Sequence, residues 1–557
     1  MGRCLSRVAG AAVLSMAEAA ALAQVALPPQ TDPGLIERRL EPRRAPPRGV
    51  QLPEMKAGPG AVAPDAVKSV KVRLKEIRIE GATAVPLERL QARAREYLYR
   101  EITGADIFEL ARELTALYRN DGYILSQVIV PPQSLGEAVL TLRVLEGYIA
   151  SVRVEAEPPL ATKLAELGEK IKASRPLRAD VLERYLLIAN DLPGMQLRSV
   201  LSPSQTPGAA DLTLIATVKK AEGYASLDNY GSKYLGPAQL TASAAANQLL
   251  GAGDQLRVTG LSTGNAELGY GQVSYTSAVG TEGLKLGAAF SRAATHPGDA
   301  LQPFDVRGRS DTASASVTYP VLRTRNQSAL GRLVYDHRNV DTDVLGVRVI
   351  EDRVRALRLG LTGLALDALD GRNTFDLEYS RGLDGTRPDD PLKSRAGAEG
   401  RFRKLALDYE RVQRLGARWA LTVGLGGQWT REPLLSSEQF FLGGRRFGRA
   451  YEPAELAGDR GLAWRMEPAW LGGEGATPYQ VYVFHDVGKV WFESNADSPP
   501  RPAQSLASAG IGTRASLDRN VSLGLEAAWP LTRPVASYQA TGHGDRVRVL
   551  GSIAFRF

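Results

Sequence analysis

Enzymatic chemistry in this chain would have to be assembled from four histidines, one cysteine and one serine motif. His296, His337, His485 and His543 are scattered, and no two stand at the short helical spacing that paired metal ligands use. Cys4 is the only thiol and lies among the first residues. Gly260-Leu261-Ser262-Thr263-Gly264 has the form of a hydrolase elbow. Such an elbow needs a strand, a sharp turn and a helix around the serine, with a histidine to take its proton. Here the run closes a strand-like stretch and no helical pattern follows. No catalytic residue, cofactor or metal is expected.

Ion pairing is the other chemistry on offer. Arg449 lies in Leu442-Gly443-Gly444-Arg445-Arg446-Phe447-Gly448-Arg449-Ala450-Tyr451, and Asp486 in Phe484-His485-Asp486-Val487-Gly488. An arginine stays charged and presents a planar fork that meets a carboxylate with two hydrogen bonds. By spacing alone the two read as separate solvated charges. His485 faces away from Phe484 and Asp486 on the same strand.

The elements that would hold these residues are strands. The final run puts Val547, Val549, Gly551, Ile553, Phe555 and Phe557 on one face and Arg548, Ser552 and Arg556 on the other. Its length suits a tilted membrane strand of roughly 9–11 residues, and equally a half-buried strand of a soluble sheet. The same alternation recurs upstream. Phe375, Leu377 and Tyr379 alternate with Asp376, Glu378 and Ser380, and Trp419, Leu421, Val423, Leu425 and Trp429 oppose Thr422, Gly424 and Gln428. Val521, Leu523, Leu525, Ala527 and Trp529 alternate with Ser522, Gly524 and Glu526. Carboxylates at inner positions are costly in a dry core, and a water-filled lumen removes that cost. Repeated alternation with charges inside favours a membrane barrel over a sandwich. About 336 residues from 222 onward, at roughly 20 per strand and loop, make about 16 strands.

Composition agrees. Apolar residues are 44% and mean hydropathy is −0.18, too polar for a bundle of membrane helices but ordinary for a barrel, whose apolar face is hidden by alternation. The net charge of +8 is spread along the chain rather than gathered into a basic patch, so nucleic-acid binding is not expected.

The N-terminal part is built differently. Residues 1–23 read as a secretory signal, with Arg3 and Arg7, an apolar run interrupted by Glu18, and Ala21-Leu22-Ala23 as the cleavage site. Residues 24–70 are rich in proline and charge and suit an extended linker. Asp32 as cap and Pro33 at the first position offer a short helix over 33–40. Disorder is the alternative, since short isolated helices are marginal. Residues 71–148 suggest a small α+β unit: a strand from Val72 to Ile79, helices around 87–98 and 107–118 (the second capped by Asp106), and strands Tyr123 to Val130 and Val139 to Leu145. Residues 149–220 repeat the element order with little identity.

The mature chain resembles the TpsB transporters of two-partner secretion, the haemolysin and filamentous haemagglutinin secretion-activation proteins. Asn120-Asp121-Gly122-Tyr123 and Leu145-Glu146-Gly147-Tyr148-Ile149 resemble positions of that family's first POTRA domain, and Asp228 to Tyr234 with Asn247 to Asp254 its first barrel hairpin. The family's inward loop carries V-R-G-Y/F where this chain has Gly448, Arg449, Ala450 and Tyr451. Only the arginine and the aromatic are kept. Glu452 to Asp459 resembles a variant of the continuation. Phe484, Asp486 and Gly488 match the family's F-x-D-x-G strand.

The resemblance implies a plug helix and linker in 24–70, POTRA domains in 71–148 and 149–220, and a transmembrane β-barrel in 221–557. It implies docking of Arg449 on Asp486 within the lumen. It implies a monomer in the outer membrane of a Gram-negative cell, with the POTRA domains in the periplasm. The expected partners are a TpsA-type exoprotein, outer-membrane lipid and, during biogenesis, the barrel-assembly machinery. A barrel-assembly insertase shares this architecture, and a plain diffusion porin is the alternative from another class. A porin has no use for two periplasmic α+β units.

Overall fold

The computed structural model describes residues 27–41, 54–55, 65–473, 477–532 and 546–557. The expected signal 1–23 with Cys4, most of the linker and His543 lie outside these residues. Sixteen antiparallel strands close into one barrel, from Ala221–Asp228 to Arg548–Arg556, and these two strands pair with each other at the seam, Tyr224 opposite Arg556 and Asp228 opposite Ser552. No helix among the described residues is long and apolar enough to cross a membrane.

Alternation decides which residues face out. In Trp419–Thr430, Trp419, Leu425 and Trp429 are exposed on the outer wall while Gln428 and Thr430 are buried inside. In the last strand Val549 and Phe555 point outward, whereas Leu550 is buried and Arg548 reaches the carbonyls of Tyr451 (2.5 Å) and Gly231 (2.7 Å) within the lumen. The inner acids are not simply bathed in water. Arg332 donates to Asp376 at 2.8 and 3.1 Å and to Glu378 at 2.8 Å. The lumen is densely occupied, so its charges are desolvated and need counter-charges.

The first N-terminal unit packs helices Leu87–Ala94 and Gly104–Asn120 on a sheet ordered Glu76–Glu80, Val139–Leu145, Gln127–Ile129. Three details depart from the sequence reading. The single first strand is two: Lys71–Arg73 pairs with Glu101–Thr103, and Glu76–Glu80 with Val139–Leu145, with fully buried Leu74 at the break. Thr103, not Asp106, is the helix cap; its hydroxyl accepts from the Asp106 N–H (3.3 Å) and the Asp106 carboxylate accepts from the Thr103 N–H (2.7 Å), a reciprocal capping box. The strand expected from Tyr123 shortens to Gln127–Ile129, because Gly122 takes φ +92° and the Tyr123 and Ser126 amides turn back to Tyr118 and Tyr123.

Glu146 ties this unit together. It accepts from the Thr83 and Ala84 amides (both 2.7 Å), the Thr83 hydroxyl and the Tyr118 hydroxyl (3.0 Å). Burial pushes its carboxyl up, but those bonds outweigh burial and hold it below its ordinary value of 4.5. A depressed folded pKa gives stability that is present above the unfolded value and lost as pH falls through the folded one. Glu146→Gln is therefore expected to cost about 1–2 kcal/mol at neutral pH, discounted for partial exposure. It should also weaken the acid-induced loss of stability below pH 4.5. Circular-dichroism melts of a fragment spanning 65–220 at several pH values check both.

The second unit stacks helices Leu160–Lys172 and Ala179–Asn190 on strands Met195–Pro203, Ala209–Val218 and Tyr148–Glu155. A fourth strand, Glu54–Met55, joins the open edge in parallel, Glu54 opposite Val200 and Met55 opposite Leu201. This unit sits on the barrel turns. Arg323 forks onto Asp191 (2.7 and 2.8 Å), Lys285 donates to the Asp191 carbonyl (2.8 Å), and the Tyr185 hydroxyl meets Glu282 (3.0 Å).

Candidate functional site

Helix Pro33–Leu40 lies inside the barrel against strands Leu284–Thr295, Arg307–Arg323 and Gln327–Val344. Asp32 caps it by accepting from the Leu35 N–H (2.9 Å) and also takes a hydrogen bond from Ser436. Eight residues make an unstable helix alone; the barrel wall supplies what is missing. Leu35 is buried, and buried Ile36 packs with Tyr234, Leu261 and Tyr270. Gly34 permits the close approach, since a Cβ there would meet Ser437 at 2.7 Å and Val340 at 2.9 Å. The fully buried Glu37 takes hydrogen bonds from Ser291, Ser310 and Thr312 (2.8 Å) and faces Arg338 at 3.6 Å, and Glu41 meets Arg338 at 2.6 Å.

Residues 431–459, between Trp419–Thr430 and Arg460–Gly472, fold inward as a loop with a short hairpin, Phe440–Leu442 against Leu456–Gly458. Beyond the hairpin the chain turns back on itself, Gly443 N–H to Phe447 O (2.8 Å) and Tyr451 N–H to Gly448 O (2.9 Å). Gly448 has φ +84°, a conformation that disfavours the family's valine strongly.

The turn delivers Arg449 to the wall. Its guanidinium forks onto Asp486 with two bonds of 3.0 Å and reaches Glu467 at 2.9 Å and Glu526 at 3.6 Å. Arg449 is 1% exposed and Asp486 0%. The Gly448 and Arg449 amides and the Ser508 hydroxyl add three longer bonds to Asp486, each 3.3 Å. Arg514 shares Glu467 (2.6 Å). Each member of the F-x-D-x-G strand thus has a task. The Phe484 ring lies 3.4 Å from the Arg449 guanidinium carbon, a cation–π contact. Asp486 takes the fork, and Gly488 leaves room for Leu442, which a Cβ would strike at 2.5 Å. The Tyr451 hydroxyl donates within 2.9 Å of the Ala507 and Thr532 carbonyls and accepts from the Thr532 N–H (3.0 Å). Buried Ala450 belongs to the same apolar cluster as Leu442, Phe447 and Tyr451. His485 faces the outer wall, its ring 5.3 Å from that of Trp464.

Glu438, in the same loop and fully buried, is the junction of the lumen. It meets Arg38 of the helix (2.7 Å) and, from the wall, Arg358 (2.8 Å) and Lys404 (2.7 Å). Asp459 closes the loop's far end, pairing with Arg395 and accepting from the Leu434 (3.0 Å) and Glu493 (2.7 Å) amides. Neither Glu438 nor Asp459 stood out in the sequence as an anchor, and Glu37, Glu467 and Arg514 were equally missed. Glu526 was visible as an inward acid but had no assigned partner. The arrangement fastens two segments of the chain inside a barrel through buried ion pairs.

A sixteen-strand barrel carrying N-terminal α/β units and filled by its own helix and loop defines an outer-membrane pore of the POTRA-barrel class. Residues 72–147 match the POTRA domain, ShlB-type, and residues 213–515 match the haemolysin secretion/activation protein ShlB/FhaC/HecB family. The chain belongs to that family, the TpsB transporters that secrete exoproteins across the outer membrane, and its N-terminal units stand in the periplasm. It is 25% identical over 522 residues to the Heme/hemopexin transporter protein HuxB of Haemophilus influenzae (strain 86-028NP), covering 90% of this chain and 92% of the relative. It is 27% identical to the Hemolysin transporter protein ShlB of Serratia marcescens, covering 82% and 81%. Among solved structures, CdiB from Escherichia coli superposes with a TM-score of 0.70 at 19% identity, covering 90% of this chain and 94% of that one. BamA from Haemophilus ducreyi lacking POTRA domains 1–3 gives 0.52 at 13%, covering 87% and 100%, a likeness of fold.

Proposed function

We propose that this chain captures one large β-rich exoprotein of the TpsA type in the periplasm, while the client is still extended, and passes it through the barrel to the surface. The observation that carries this reading is the pairing of Glu54–Met55 with the edge of the second unit. That edge accepts an extended segment through main-chain hydrogen bonds, and a client segment would use it in the same way. In this reading 149–220 are a second POTRA domain, 24–70 hold the lumen helix and its tether, 221–557 form the pore, and 1–23 are removed on export. Docking of Arg449 on Asp486 positions the loop, and loop and helix together close the resting pore. The protein is a monomer, inserted by the barrel-assembly machinery, and has no enzymatic step. Folding of the client outside biases its movement, since no nucleotide is at hand. The HuxB relative is matched over more of its length than ShlB, 92% against 81%, so an exoprotein serving heme or hemopexin is the first client to try.

A disulfide tests the capture step. Met55 and Leu201 are register partners on adjacent strands, within reach of a cross-link. In a protein with Cys4 replaced by serine, oxidised Met55→Cys/Leu201→Cys is expected to secrete about ten-fold less client than its reduced form, on the affinity scale of a lost edge. Full secretion by the oxidised protein would falsify edge capture.

A further inference from the structure

The outer wall carries a second arrangement that transport does not use. Arg381 and Arg403 stand directly opposite each other on adjacent strands, and Arg431 follows Thr430, the partner of Lys404, so it stands beside Arg403. Their neighbours in sequence, Ser380, Lys404 and Thr430, are buried in the lumen, while all three arginines are exposed. They therefore form a row on the outer face spanning about 10 Å across three strands. The row lies at the strand ends away from the periplasmic unit, at the level of the outer leaflet.

Like charges directly opposite on a sheet destabilise it. Other arginines near this rim have counter-charges: Arg292 and Arg309 meet Asp311 (2.5 and 2.6 Å), and Arg353 meets Asp341 (2.7 Å). Among the described residues none of the guanidinium groups of Arg381, Arg403 and Arg431 has an ion pair or a hydrogen bond. The nearby Glu432 is engaged on the Arg403 backbone N–H at 2.6 Å. The Arg431 guanidinium instead lies 5.2 Å from the Trp429 ring.

Directly beneath the row the wall is apolar and indented. Tyr379, Leu405 and Trp429 are register partners two residues below the arginines. One step lower Gly427, flanked by Leu407 and Leu462, leaves a shallow recess of about 430 Å³ whose walls include Trp429 and Trp491. Lys489 is paired with Leu462 and adds an exposed cation on the far side. Arginine forks fit phosphate with paired hydrogen bonds. An apolar slot below such a row fits a hydrocarbon chain. We infer that this face binds a phosphorylated, acylated lipid of the outer leaflet, with its phosphate on Arg381, Arg403 and Arg431 and an acyl chain in the recess at Gly427.

The test is native mass spectrometry of the full-length protein in detergent, with bis-phosphorylated lipid A as the probe and phosphatidylglycerol as the comparison. Wild-type protein is expected to retain lipid A under activation that strips phosphatidylglycerol. Arg381→Gln/Arg403→Gln/Arg431→Gln is expected to retain it about ten-fold less, as loss of several charge-assisted bonds dictates. Gly427→Leu, which fills the recess and keeps the arginines, is expected to lose retention about three-fold, as removal of an apolar seat dictates. Dephosphorylated lipid A on the wild type should behave like the triple variant, which makes the test independent of how the variant folds; heat-modifiable migration reports that folding separately. Equal retention by wild type and triple variant, or retention indifferent to the phosphates, overturns the inference. Unchanged retention by Gly427→Leu overturns the acyl seat.

Discussion

Arg449→Ala protein is expected to reach the membrane as a folded barrel and to secrete its client at less than about a tenth of the wild-type rate. The substitution removes the fork on Asp486 and the bond to Glu467. Breaking a buried pair from one side costs about 3–5 kcal/mol, because the partner stays buried without its counter-charge. Glu467 is cushioned by Arg514, but Asp486 keeps only the weaker bond from Ser508 and the loop amides. The loop's other attachments, Tyr451 on the Thr532 and Ala507 carbonyls and Asp459 on Arg395, keep its ends fastened. The loss should therefore appear as a loosened turn rather than an unfolded barrel. Arg449→Lys should rescue poorly, since an ammonium cannot fork. Secretion measured beside heat-modifiable migration decides the matter: normal secretion by the alanine variant removes the docking role.

Glu438→Gln is expected to open the pore. One buried carboxylate answers Arg38 on the helix and Arg358 and Lys404 on the wall. Neutralising it leaves Arg38 and Lys404 without this carboxylate, with Asp336 still answering Arg358, and cuts the ionic tie between helix, loop and wall at about 3–5 kcal/mol. The contacts of Asp32 with Ser436 and of Glu37 and Glu41 with Arg338 remain, so the helix is loosened rather than lost. Planar-bilayer recordings should show sustained conductance several-fold above wild type. Arg38→Ala removes only one spoke, from a side chain 21% exposed, so its effect should be about 1 kcal/mol or less. If Arg38→Ala opens the channel as far as Glu438→Gln does, the junction is not where the closure is held.

The barrel and its orientation were legible because a membrane wall forces a period of two on every strand. Val549 against Leu550 and Trp429 against Gln428 follow that rule. The Arg449 and Asp486 positions were legible through resemblance alone; spacing left them as loose charges. What stayed hidden shares a physical cause. Arg38 and Glu438 are 400 residues apart in the chain, and no local pattern encodes a pair that only barrel closure brings together. Arg332 was invisible as the partner of Asp376 for the same reason. At short range the competing signals were closer in strength. Thr103 and Asp106 both suit a helix start, and reciprocal bonding uses them both.

The nest around Arg449 has a further consequence for a pore that works. Asp486, Glu467 and Glu526 converge there, with Arg514 as the other cation. Were the loop to leave, three anions would confront a single guanidinium, and the vacated niche would be two charges short of neutrality. Sodium ions or the basic side chains of a polypeptide in transit would make up that deficit, so a passage emptied in this way would favour lysine- and arginine-bearing stretches over acidic ones.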